Sequence, residues 1–291
     1  MSDRLTRRDA YEIITSRILS ALEKGTVPWH QPWTSQPPAN LITRKAYRGV
    51  NAFVLSCSPY ASPWWATYRQ IEDLGGHVRR GEHGTPVCFW KWIEKEQAEQ
   101  HNQIDPPADR MPILRYYIVF NSEQCQGIAH HLPVGIPGPT EAIAAAEAIA
   151  AGMPHPPRIQ CRGGEASYSP RLDLVTIPAL ANFENPEAYH STLFHELAHS
   201  TGHPTRLNRP SVSEACPFGS TNYSKEELVA EMAAAFLCGH AGISNSTIDS
   251  SSAYIVNWLS RLSQDRKLLI HAAGAAQKAA DCILGESFSE A

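Results

Sequence analysis

The string His195-Glu196-Leu197-Ala198-His199 sets two imidazoles four residues apart, with a carboxylate beside the first. On a helix, residues at i and i+4 share a face, so both rings can reach one cation. Such a pair suits Zn2+, and a catalytic zinc needs a third protein ligand and an open position for water. Glu196 would stand beside that water as general base. The five-residue pattern also arises by chance on amphipathic helices. Here an apolar-faced segment (Leu193, Phe194, Leu197) leads into it and a strand-like run precedes it, which favours a metal site. The expected ion is Zn2+, with Mn2+ or another divalent metal as the alternative.

The third ligand is less determined. His203 lies one turn beyond His199, and an i, i+4, i+8 series drifts about 80° around the helix. The longer metzincin pattern would need its third His at position 205, which is Thr205. A glutamate from the next helix, the gluzincin arrangement, fits better. In Glu226-Glu-Leu-Val-Ala-Glu231, Glu227 and Glu231 share a helical face otherwise lined by small and apolar residues. A carboxylate there is costly unless paired or metal-bound. One of the two would be the ligand and the other the acceptor for a ligand His Nδ1–H. Glu227 is preferred as ligand and Glu231 as its supporting partner or replacement, while Glu226 reads as a solvated first-turn charge. Tyr223 is a candidate oxyanion donor, against the plainer role of a packed residue at the helix start.

These groups need elements to hold them. Pro186 opens a helix that carries the motif to Gly202, and Ser224 reads as the N-cap of the next, which runs to about Cys238. Asp173 to Ile177 reads as a strand able to pair with an extended peptide, as the edge strand above a zincin site does. Arg158 to Cys161 is another strand. Thr140 to Ala151, Ala253 to Leu269 and Ala272 to Leu284 are helices. Upstream, Ile14, Ile18 and Leu22 make one helical stripe over 9–24, stopped by Gly25. Shorter helices are expected over 47–55 and 67–74. Val87 to Ile93 and Arg115 to Phe120 are aromatic and β-branched enough to be strands, joined by a polar loop, 94–109. The Pro/Gly cluster Pro133 to Pro139 is the expected linker. It divides a domain over 1–135 from one over 140–291. The expected class is α+β, a mixed α/β domain followed by a helix-rich zincin-like domain with a small sheet.

The chain has 291 residues, 43% hydrophobic and 19% charged, enough for real cores and unlike a disordered chain. No apolar run reaches the roughly 18–20 residues that cross a bilayer, and the first residues do not read as a signal peptide. Seven scattered cysteines without a CxxC pair argue against a disulfide framework or a cysteine-rich zinc site. The expectation is a monomer in the cytoplasm, with no membrane partner.

The two halves differ in charge. Residues 1–93 hold 12 Lys/Arg against 7 Asp/Glu, and residues 136–291 hold 10 against 16. Six of seven tryptophans lie between Trp29 and Trp92. Trp29, Trp33, Trp64, Trp65, Trp90 and Trp92 alternate with Arg44, Lys45, Arg48, Arg69, Arg79, Arg80 and Lys91. Aromatic faces that stack on unpaired bases, with cations along the phosphates, are how single-stranded nucleic acid is bound. Some of the tryptophans would instead be core.

Several strings carry a resemblance. Leu22-Glu-Lys-Gly-Thr-Val-Pro-Trp-His-Gln-Pro-Trp33, Tyr47-Arg-Gly-Val-Asn51, Trp65-Ala-Thr-Tyr-Arg-Gln70, Gly75-Gly-His-Val-Arg-Arg-Gly81 and Phe120-Asn-Ser-Glu-Gln-Cys125 resemble the ArdC family of antirestriction proteins. The His-Glu and Glu226–Glu231 strings are similar to that family's zincin-like half. The resemblance implies a single-stranded-DNA-binding domain joined to a metallopeptidase-fold domain. It also implies a role in protecting mobile-element DNA from host restriction. It brings Tyr47, Asn51 and Tyr68 in beside Trp29, Trp33, Arg44, Arg48, Trp65, Arg79, Arg80, Lys91 and Trp92 as candidate DNA contacts. A host protein is a further expected partner, as the peptide substrate. Two other readings stay open: a purely structural metal, and a regulatory zinc metalloprotease that cuts a repressor or defence protein with the aromatic half recognising protein.

Overall fold

Asp9 caps the first helix, α1 (Ala10–Glu23), by accepting from the Tyr11 N–H, and Ile14, Ile18 and Leu22 form its buried stripe. The computed structural model describes residues 9–27, 37–94, 110–132, 139–213, 221–243, 252–265 and 267–286. Its class is α+β, with a mixed α/β N-terminal region on a curled sheet and a helix-rich C-terminal region.

In the N-terminal region the strands are β1 (Ala39–Asn40), β2 (Trp64–Thr67), β3 (His77–Val78), β4 (Thr85–Glu94), β5 (Arg110–Asn121) and β6 (Cys125–Gln126). Four of them form a sheet in the order β1-β2-β5-β4, and β3 pairs with β6 separately. The two aromatic runs form one antiparallel hairpin, from Thr85 opposite Val119 to Glu94 opposite Arg110. Of the loop expected over 94–109, Glu94 belongs to β4 and the rest lies outside the described residues. Helices α2 (Val50–Ser56) and α3 (Tyr68–Asp73) flank the sheet. Thr67 and Gln70 close a reciprocal capping box that starts α3 directly from β2.

The C-terminal region contains α4 (Pro139–Gly152), β7 (Arg158–Cys161), β8 (Ser167–Ser169), β9 (Leu174–Ile177), α5 (Pro186–Ser200), the short α6 (Pro210–Ser213), α7 (Thr221–Ala241), α8 (Ser252–Gln264) and α9 (Leu268–Leu284). Of the expected linker, Pro133 to Pro139, residues 133–138 lie outside the described residues and Pro139 begins α4. Several element limits differ from expectation, among them the strand expected over 115–120, which spans Arg110–Asn121, and two in the C-terminal region. Ser224 lies inside α7, not at its cap, because the helix begins a turn earlier. The break between the last two helices falls at Asp265, not after Leu269. There the Asp265 carboxylate accepts the Lys267 and Leu268 N–H groups at 3.0 and 3.2 Å and starts α9 anew. No helix among the described residues is long and apolar enough to cross a membrane.

One hydrophobic core runs through both regions. Ile14, Ile18, Leu22 and Phe53 pack in the same cluster as Phe194, Leu197, Leu228 and Leu269. At the junction the Phe53 ring stacks on Phe236 of α7, centroids 4.5 Å apart. Arg48 pairs with Asp281 of α9 at 2.5 Å, and the Gly49 N–H donates to Gln277 at 3.0 Å. Gly49 itself sits at φ 55°, ψ −138°, backbone that a side chain would strain.

Phe53→Ala removes a ring with no solvent exposure and is expected to cost about 3–5 kcal/mol. In urea unfolding, tryptophan fluorescence reports mainly on the N-terminal region and far-UV circular dichroism on the helices. Both midpoints are expected to fall together; a shift in fluorescence alone would mean that the regions unfold separately.

Candidate metal centre

Asn185 caps α5 by accepting the Ala188 N–H, and Pro186 at the first helical position fixes its start. Leu193, Phe194, Leu197 and Ala198 bury the inner face, which leaves His195 and His199 together on another. Their Nε2 atoms are 3.1 Å apart. Helix α7 packs against α5 and brings Glu227 to the pair: Oε2 lies 3.5 Å from His195 Nε2, and Oε1 lies 3.6 Å from His199 Nε2. The three donors fall within 4.8 Å of one another. Donors about 2.0–2.1 Å from a tetrahedral centre would be spaced by about 3.3 Å. The two imidazoles and the carboxylate therefore fit one divalent ion.

The neighbouring acid is the surprise in this site. Glu226 is 5% exposed, not a solvated first-turn charge. Its Oε1 lies 3.5 Å from His199 Nδ1. Arg209 donates to it through Nε at 3.0 Å and Nη2 at 2.5 Å, and the Ser211 hydroxyl donates at 2.6 Å. The same guanidinium donates to the Ala198 carbonyl at 2.9 Å and to the Thr201 hydroxyl at 2.6 Å, so it clasps the end of α5 to the start of α7. Burial works against the Glu226 charge, but His199 and Arg209 overcome it and hold the pKa at about 2. Burial likewise opposes charge on His199, yet Glu226 and Glu227 raise its pKa to about 10. A cation at Nε2 would meet the same field. The position expected for Glu231 as acceptor for a ligand imidazole is thus filled by Glu226. Successive helical residues point about 100° apart, so Glu226 and Glu227 address opposite nitrogens of one ring. Glu231 is buried a turn further along and is not among the three converging donors.

The turn after α5 is shaped to deliver Arg209. A Cβ on Gly202 would lie 2.5 Å from Val212 Cγ2 and 3.2 Å from Arg209 Nη2. His203 turns its Nδ1 to the Thr205 hydroxyl at 2.8 Å, away from any ligand role. Arg206, with a side chain 3% exposed, pairs with Asp173 and donates to the Ser200 carbonyl at 2.7 Å, anchoring the helix end to the sheet.

Glu196 is 7% exposed, and burial raises its pKa. The Tyr168 N–H donates to its carboxylate. This brings β8 to the site and corrects the expectation for the strand over 173–177. The sheet order is β7-β9-β8, so β9 is paired on both sides and has no edge to offer. The edge strand beside Glu196 is β8. Tyr223 falls in the first turn of α7, and its side chain lies outside the described residues.

A family model described as zincin-like metallopeptidase matches residues 144–275, and that of the N-terminal domain of the anti-restriction factor ArdC matches residues 8–120. Two crystal structures of the antirestriction protein ArdC from plasmid R388 superpose on the chain. The metal-free one has TM-score 0.74 and 35% identity, covering 95% of this chain and 97% of that one. The Mn(II)-bound one has TM-score 0.75 and 34% identity, covering 96% and 98%. The chain belongs to the ArdC family of antirestriction proteins. Protein y4eC of Sinorhizobium fredii is 36% identical over 95% of this chain and 92% of its own length. Two DNA primases TraC of Escherichia coli are 34% and 32% identical over 96% of this chain, which spans only 27% and 20% of their lengths.

In this ArdC-family chain the residues expected to meet DNA separate into three groups. Trp65 is 2% exposed among Leu55, Val87 and Val119, so its ring is core and cannot stack on a base. Asn51 uses its amide on Cys88, donating to the carbonyl at 2.7 Å and accepting the N–H at 2.8 Å. Arg48 is held by Asp281, and Arg79 by Glu82 at 2.7 Å. Tyr47 is half-buried, with its hydroxyl 3.5 Å from the Asn40 amide. Tyr68, Arg80 and Lys91 are exposed, as is Arg44, which lies over the Trp64 ring at 5.0 Å. Trp29, Trp33 and the Trp92 side chain lie outside the described residues. Reading the sequence missed Arg209 and Glu226. The signal was Arg209-Pro210-Ser211 ahead of the acidic pair Glu226-Glu227, and only the fold brings these together.

Arg209→Ala strands Glu226 in a buried site, so the His199 ring loses its fixed orientation. Metal affinity, measured by competition with a chromogenic chelator, is expected to fall about 10- to 100-fold. Arg209→Lys keeps the charge but not the two-pronged contact, and should recover only part of the loss.

Proposed function

We propose that the protein binds single-stranded DNA through its N-terminal region, protects incoming mobile-element DNA from host restriction, and carries a working metallopeptidase centre in its C-terminal region. The observation that carries the last part is the convergence of His195, His199 and Glu227 beside a buried Glu196, in a chain alike over 95% of its length to an antirestriction protein. The ion is Zn2+, the usual occupant of two imidazoles and a carboxylate. Mn2+ is the alternative, since a relative has been crystallised with it.

A metal held there supplies Lewis-acid chemistry and a lowered pKa for bound water. The rest falls to the chain's own residues. Glu196 accepts a proton from the nucleophile and passes it to the leaving amine, a task helped by the raised pKa that burial gives it. Ser167, Tyr168 and Ser169 of β8 lie on the free side of the sheet and would align an extended peptide by backbone pairing. A host protein is therefore the proposed peptide substrate.

Support for single-stranded DNA comes from the excess of Lys and Arg over 1–93 and from the exposed aromatic residues there. Two relatives that share this region are DNA primases TraC, of which the chain spans 27% and 20%.

Elemental analysis and hydrolysis of denatured casein test the centre. Glu196→Ala is expected to keep one metal per chain and lose hydrolysis. A double change of His195 and His199 to Ala is expected to lose the metal; full occupancy in that variant would place the site elsewhere. Treating wild type with a chelator should leave oligothymidylate binding intact, and conjugative transfer into a restricting host reports on protection.

A further inference from the structure

The β4–β5 hairpin extends beyond its sheet, and the register decides what each face presents. Residues directly opposite each other in an antiparallel pair project to the same face. Phe89 lies opposite Arg115, Lys91 opposite Ile113 and Val87 opposite Tyr117, so these six share a face. At its root Val87 and Val119 are buried against Trp65 and Leu55. Further out, Phe89 is 42% and Tyr117 37% exposed, with ring centroids 5.8 Å apart, and Lys91 is exposed. Tyr47 supports Tyr117 from below through a hydrogen bond between their hydroxyls. The other face carries Trp90 and Tyr116, 48% and 46% exposed. There Trp90 already meets the edge of the Tyr11 ring of α1 at 6.5 Å.

We infer that the face formed by Phe89, Tyr117, Lys91 and Arg115 is where single-stranded nucleic acid lies, with bases on the two rings and phosphates on the two cations. The inference rests on the single-stranded-DNA reading above and gives that reading a place. Aromatic rings beside cations answer both chemical parts of a nucleotide, the flat base and the charged phosphate. Over both strands the only acid is Glu94, at the far end of β4, against Lys91, Arg110 and Arg115. Rings spaced along the hairpin accept any base, because every base offers a π-face. Trp65, one of the tryptophans put forward from the sequence, takes no part; Phe89 and Tyr117 do.

The experiment is binding of labelled oligothymidylate to the full-length chain over a salt series. Phe89→Leu with Tyr117→Leu keeps apolar bulk and removes the rings. It is expected to weaken binding about 30-fold or more, from about 5-fold or more for each of the two stacked bases. Lys91→Ala with Arg115→Ala is expected to reduce the slope of log affinity against log salt by about 1.4, at roughly 0.7 for each phosphate contact. Trp90→Leu with Tyr116→Leu is the comparison on the opposite face and should change affinity less than about 3-fold. Equal thermal midpoints for the three variants exclude a folding effect. If the loss follows Trp90 and Tyr116 instead, or no pair matters, the face is wrong and the single-strand reading stands. If wild type fails to prefer oligothymidylate over duplex, both fall together.

Discussion

The candidate metal centre depends on keeping Glu226 charged inside the protein. A buried carboxylate left alone costs several kcal/mol and usually takes up a proton instead. Here three hydrogen bonds, two from Arg209 and one from Ser211, keep it ionised and still. An ionised Glu226 faces His199 Nδ1 and favours a proton there, which directs the Nε2 lone pair to the cation that His195 and Glu227 would share. The guanidinium that makes this stable is in turn held by Ala198 and Thr201 at the end of α5. Gly202, the Arg206 anchor and the short helix α6 all follow from having to deliver one arginine under one helix.

Helix α7 links this chemistry to the other half of the chain. Its first turns carry Glu226 and Glu227, and three turns later Phe236 stacks on Phe53 of α2. Its middle, from Leu228 to Ala235, is apolar but for Glu231 and buried, which is why its hydrophobicity has no single preferred side and periodicity says little about which acid faces the metal. Phe53 and the α1 stripe pack against the zincin helices in one continuous cluster, and Arg48 and Asp281 close it at the rim. The halves differ sharply in charge and aromatic content, and those differences concern what their surfaces do. The interior does not observe the division.

Local patterns made part of this legible. The His pair, Glu196 and the long helices depend on spacing within a few residues, and the sequence carries spacing directly. The aromatic hairpin was visible as two strand-like runs, and Ile14, Ile18 and Leu22 marked the buried side of α1. What escaped detection was whatever needs a distant partner. Glu226 looked solvated because Arg209 is seventeen residues away. β8 is three residues long, too short for alternation to show, so the sequence pattern points to its neighbour β9 as the edge. Trp65 and Asn51 sit in a basic, aromatic stretch, yet one fills a core and the other caps the backbone of β4. Composition could not tell these uses apart from DNA contacts.

Asn51 also bears on how the two regions recognise their ligands. β4 is the last strand of its sheet, and such edges invite pairing with other chains. The Asn51 amide meets both the N–H and the carbonyl of Cys88, so at that point the edge is already closed by a side chain that imitates a strand. The hairpin is left to act through its faces, where rings and cations project. In the zincin sheet the emphasis is reversed. β8 carries two serines and a tyrosine, little side chain with which to grip, but it is the edge strand of its sheet and its Tyr168 N–H reaches Glu196. A nucleic-acid strand has no amides to offer an edge and has bases to offer a ring. A peptide has amides in regular array. Face recognition in one half and edge recognition in the other therefore match the two polymers in the proposed function, and neither surface is suited to the other's ligand.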